Sequence, residues 1–173
     1  MTVTTLTPVE RLQLINQYRI LEKLDPEGAD EYAADREIIA RGYTAQYHTV
    51  FTDVWDEMSV EECTYVYDVL DMHRILINSF NHLADKAGLT LDDVKFEGFD
   101  LNSEGKRYGF AEHLQKQGKW KETLPDYLNS HTEMTAFKQR RMLDNFQPIR
   151  QQIANSMSGN WQLTADQIRK IIS

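Results

Sequence analysis

Cysteine is almost absent from this chain. Cys63 is the only one in 173 residues. No internal disulfide can form, and a lone thiol suits a reducing cytoplasm. Proline and glycine are sparse, at 4 and 8 residues, which argues against a many-turned sandwich and favours long regular elements. No apolar run approaches the roughly 20 residues needed to span a bilayer, so no membrane role is expected. Residues 1–7 lack a basic segment followed by an apolar one, so no secretory signal is expected.

Basic charge is also short. The net charge is −8, which disfavours a dedicated nucleic-acid binder, because phosphate contacts need clustered Lys and Arg. The imbalance is local. Residues 22–71 hold 14 acidic and 3 basic side chains, whereas residues 101–173 hold 7 acidic and 11 basic. Two readings stand: halves that face each other, within a monomer or across a dimer, or two solvated surfaces of different sign.

What is present is helical patterning. Thr7-Pro8-Val9-Glu10 is a helix start, with Thr7 as cap, Pro8 in first position and Glu10 closing a capping box. At 100° per residue, Leu14, Tyr18 and Leu21 form one apolar stripe. Val9, Leu12 and Ile20 form a second, nearly opposite, and Asn16 interrupts it. Two stripes predict a helix held between partners, inside the domain or at a subunit interface, with Leu12, Asn16 and Ile20 as interface residues. A buried amide at Asn16 would fix the register of packed helices.

Asp25-Pro26 ends this helix and offers a start for the next, which should run to Ala40 or Arg41 and stop at Gly42. A third helix is expected from Tyr43 to Glu57. Ser59-Val60-Glu61-Glu62 is another capping box, opening a long helix to Lys86 with Gly88 as stop. Residues 94–97 read as a short extended segment. Asn102 or Ser103 should cap a helix to Gln117, and Gly98-Phe99-Asp100 reads as a turn with Asp100 as an alternative cap. A short helix is possible in the pattern from Trp120 to Leu128. A further helix begins near Thr132 with an apolar row at Met142, Phe146, Ile149, Ile153 and Met157, which Pro148 should kink or split. Thr164-Ala165-Asp166-Gln167 opens a closing helix. The fold class is all-α. A single domain over 1–173 is expected, with sub-parts 7–57 and 58–173.

The chain resembles the YfbU family of bacterial proteins. The resemblance is carried by Arg11-Leu12, Asn16-Gln17-Tyr18, Leu24-Asp25-Pro26, Arg41-Gly42-Tyr43, Glu62-Cys63, Gly98-Phe99-Asp100 with Glu104 and Gly109, Arg141-Met142-Leu143, and Leu163-Thr164-Ala165 with Ile168 and Ile171. It is specific in the N-terminal half and looser from Lys116 to Gln162. It implies an all-α fold, a helical hairpin packed with a larger irregular helical bundle, and carries no reaction, substrate or cofactor.

No catalytic or cofactor-binding motif is present, and no metal site is expected. The five histidines include no H-E-x-x-H, and His82 with Asp85 makes only two ligands. His73 sits mid-face on the long helix and reads as a packed core imidazole. Cys63 reads as a small buried hydrophobe beside Glu61 and Glu62, which would raise a thiol pKa. A ligand cleft would use Arg41, Tyr43, Asp100 and Glu104. A nucleic-acid contact would use Lys138, Arg140, Arg141 and Arg150. The favoured expectation is a cytoplasmic homo-oligomer acting through protein contacts, with an unidentified protein partner. A nucleic-acid-associated regulator and a small-ligand binder or enzyme are the alternatives.

Overall fold

The computed structural model describes residues 5–156 and 159–173. Met157, assigned above to an apolar row, lies outside them. The described residues are helical, with no strand among them beyond one isolated parallel bridge, Phe99 to Asn129. The chain forms two compact units, residues 1–57 and 58–173.

The first unit is a hairpin of α1 (Pro8–Leu24) and α2 (Ala29–Arg41), followed by a single turn, α3 (Tyr47–Val50). Thr7 and Glu10 close the expected box: the Glu10 N–H donates to Thr7 Oγ1, and the Thr7 N–H to Glu10 Oε2 at 2.7 Å. The Thr7 N–H and hydroxyl, both donating to Oε2, hold the Glu10 carboxyl below its usual range. Gly42 ends α2 in the left-handed region at φ 72°, as expected. Pro26 does not start α2; the cap is Gly28. Asp25 instead closes α1 and accepts a hydrogen bond from the Tyr32 hydroxyl at 2.8 Å. Arg11 locks the hairpin by donating from Nε and Nη2 to the carbonyls of Ile39 and Ala40, in the last turn of α2.

The helix expected over 43–57 shrinks to a 3₁₀ turn at Thr44–Gln46 and the four residues of α3. Thr49 and Thr52 turn their hydroxyls onto backbone carbonyls, a competition that weakens helices. Val54 and Trp55, inside the expected helix, are exposed.

The second unit is built around α4 (Val60–His82), with α5 (Leu91–Val94), α6 (Gly105–Lys116), α7 (Met134–Asn155) and α8 (Ala165–Ile172). Its core joins Val66, Val69, Leu70, Met72 and Leu76 of α4 to Phe96, Phe99, Leu114, Phe146, Ile168 and Ile171. α4 stops four residues early. The Lys86 ammonium reaches back to the carbonyls of Phe80, Asn81 and Leu83, satisfying the end of the helix. α6 starts at Gly105 with Glu104 at the cap position, so neither Asn102 nor Ser103 caps it, and Asp100 spends its carboxylate on Ser103. No helix forms at 120–128. Trp120 has φ 48°, and its indole N–H donates to Asp71 at 2.9 Å.

Pro148 does not split α7. Phe146 and Ile149 on either side are buried and hold both halves against the core. The carbonyl that Pro148 leaves without a helical donor belongs to Asp144, an exposed residue. α8 opens with the expected Thr164–Gln167 box. The extended pairing appears at Phe99 and not at 94–97. The Phe99 N–H donates to the Leu128 carbonyl at 2.9 Å, and the Ser130 N–H to the Phe99 carbonyl.

Candidate interaction surfaces and polar sites

α1 has no buried residue. Its Leu14 and Tyr18 side is half-buried in the hairpin, where Tyr18 meets Tyr32 at 6.4 Å between ring centroids. Partial burial, then the neighbouring Asp35, raises the Tyr18 pKa. The opposite side is open: Val9 is 65% exposed, and Leu12 and Ile20 are each 57% exposed. Asn16 lies between them, exposed, at 3.5 Å from Arg19 Nη1. The amide is therefore not buried within the unit. The charged side chains Glu10, Arg11 and Glu22 are engaged elsewhere, Glu22 with Arg36. The open face carries only Arg19 and Lys23 as charges.

Asp100 and Glu104 are brought together in the second unit. Arg41 and Tyr43 belong to the first unit, both exposed at the end of α2. Glu104 is buried and accepts from the Asp100 N–H through Oε2 and from Arg107 Nη1 through Oε1, at 3.3 and 2.9 Å. Arg107 also donates to both oxygens of Glu62, 45 residues away, and lies 4.2 Å over the Tyr65 ring. That bond holds the Glu62 carboxyl below its usual range. The Ser103 hydroxyl does the same for Asp100.

A second layer braces this network. Asn129 Oδ1 accepts the N–H groups of Leu101 and His131. Gln139 Nε2 donates to the Gly98 carbonyl at 2.9 Å, leaving its buried Oε1 without a partner among the described residues. Arg107, Asn129 and Gln139 were not singled out from sequence. Only Arg107 left a local signal, its three-residue spacing from Glu104 at a helix start. Glu62 had been read as half of a capping box. Its backbone N–H does bond Ser59, but its carboxylate is spent on Arg107.

Of the basic residues, Lys138 pairs with Glu97 at 2.8 Å and Arg150 with Asp68 at 2.7 Å. Arg140 and Arg141 are exposed and make no ion pair among the described residues. Within the second unit, acidic residues of α4 thus meet basic residues from later in the chain. Arg150 also lines a groove of about 610 Å³ along α4, with Arg74, Asn78, Asn81 and Trp161.

His73 is buried, its Nδ1–H donating to the Val94 carbonyl at 2.8 Å. Burial pushes its pKa down to about 4. Cys63 is half-buried. No group of three or more His, Cys, Asp or Glu suited to a metal occurs among the described residues. No helix among them is long and apolar enough to cross a membrane.

The YfbU domain model matches residues 4–173, which spans both units. The chain belongs to the YfbU family. A UPF0304 protein of Actinobacillus succinogenes is 30% identical over 169 residues, covering 97% of this chain and 98% of the relative. The YfbU match therefore takes in the α1 hairpin, the Asp100–Glu104–Arg107 network and α8 together.

Proposed function

We propose that this YfbU protein is a non-enzymatic interaction module that self-associates through the open face of α1. The observation that carries this is Val9, Leu12 and Ile20, aligned and exposed on a helix whose other side already packs in its hairpin. Apolar residues gathered on one exposed face, rather than scattered singly, suit an interaction site. The polar alternative is less well supplied. The carboxylates of Asp100 and Glu104 already have protein partners, so few of their lone pairs are free for a substrate. A cytoplasmic location is supported by the single cysteine.

Light scattering across 1–100 µM protein tests the reading. We expect mass to rise with concentration, and Leu12→Glu with Ile20→Glu to hold the chain monomeric. A wild-type chain that stays monomeric throughout overturns it. Mass growth unaffected by the double substitution moves the contact off α1.

A further inference from the structure

We propose that two copies pair their α1 helices antiparallel, with Asn16 of each facing the other across the twofold axis. This rests on the self-association reading and adds the orientation and register of the contact.

The open face is self-complementary under a rotation centred on Asn16. Position i then meets the position that sums with it to 32. Leu12 meets Ile20, and Ile20 meets Leu12, so apolar residues flank the axis on both sides. Asn16 meets Asn16, and a carboxamide can both donate to and accept from its own copy. Gln13 meets Arg19, whose guanidinium donors find the amide oxygen. Val9 meets Lys23, whose methylene stem covers it while the ammonium stays in water. Every residue of the face acquires a partner it can tolerate, which is the condition for an isologous interface.

Charge selects the orientation. A parallel pair would also match Leu12 with Leu12 and Ile20 with Ile20, but it would set Arg19 against Arg19 and Lys23 against Lys23. No acidic residue lies on that face to relieve the repulsion, because Glu10 is bound to Thr7 and Glu22 to Arg36. The antiparallel pair separates the like charges and opposes the helix dipoles. It also gives Asn16 a role: its carboxamide, which accepts from Arg19 Nη1 at 3.5 Å, can in addition bond its own copy, and slipped registers lose that bond.

The footprint sets the strength. A 17-residue helix is about 25 Å long. Contact along one of its faces falls short of the roughly 800 Å² per partner of a standard interface. A footprint of that size suits a reversible dimer rather than an obligate one.

Cysteine cross-linking in a Cys63→Ala background tests the register. Asn16→Cys should form a disulfide-linked dimer under mild oxidation. Leu12→Cys alone should not, because its two copies stand about 12 Å apart along the axes. Leu12→Cys mixed with Ile20→Cys should form the mixed dimer. Strong self-linking of Leu12→Cys means a parallel pair and overturns the inference while leaving self-association intact. A dimer by light scattering in which none of these cysteines links also overturns it. A strict monomer overturns the self-association reading itself. Circular dichroism of each variant confirms that α1 stays folded.

Discussion

Arg107 donates to Glu104 at 2.9 Å and to Glu62 at 2.8 Å, so one guanidinium neutralises a carboxylate that is 4% exposed and ties α6 to the start of α4. Removing Arg107 leaves the Glu104 charge buried beside Asp100 with no cation.

Arg107→Ala should therefore lower unfolding free energy by about 3 kcal/mol, the range for breaking one side of a largely buried pair. Glu62→Gln should cost about 1 kcal/mol or less, because Glu62 is 42% exposed and water replaces much of the pair. Urea titrations of the two variants give the comparison. Equal losses would mean that the Arg107–Glu104 contact adds nothing beyond the Glu62 pair.

His73 sets a pH dependence. Its folded pKa of about 4 lies below the usual 6.5, since burial disfavours the imidazolium. The unfolded chain binds the proton first as pH falls. The stabilisation is thus complete above about pH 6.5, declines between 6.5 and 4, and is gone below 4. The full effect is about 3 kcal/mol. His73→Leu should flatten the stability curve across that window, at some fixed cost for the lost Val94 bond. Denaturant midpoints at half-unit pH steps measure this.

Two glycines should respond in opposite senses. Gly98 has φ +97°, and a Cβ there would stand 2.0 Å from the Leu128 carbonyl oxygen. Gly98→Ala must push Leu128 away and break the Phe99 pairing, costing about 3 kcal/mol or more. Gly109, inside α6, has nothing within 4 Å of that position. Gly109→Ala should stabilise by up to about 1 kcal/mol from helix propensity alone. Thermal melts of both distinguish a backbone requirement from mere small size.

Substitutions on the open face of α1 should separate association from stability. Leu12→Glu and Ile20→Glu change side chains that are more than half exposed, so unfolding of the dilute monomer should move by about 0.5 kcal/mol or less. A large loss at low concentration would show that these residues pack inside the chain.

Local signals made much of the fold legible. The Thr7 and Thr164 boxes, the Gly42 stop and the Ser59 cap each work within four residues, and each lies where its sequence places it. The failures are of two kinds. At 43–57, apolar spacing suggested a helix, but too little of that face is covered to sustain one. At Glu62, His73 and Gln139, the partner lies 21 to 45 residues away, and no spacing rule reports it. For that reason the polar network was visible only as Asp100 and Glu104, without the arginine that joins them to α4. The open α1 stripe was legible because it depends on nothing but helical period; its alternative placement inside the domain was not decided by period.

Among the described residues of the first unit, only Ile39 and Tyr47 are buried. So small a core leaves the hairpin dependent on hydrogen bonds such as those of Arg11, and on whatever covers α1. Under the proposed self-association, mass action links its stability to abundance. In a dilute cell the hairpin amides would exchange with solvent quickly, and in a crowded expression state they would be protected. The amount of the protein present would then set how often its first unit opens.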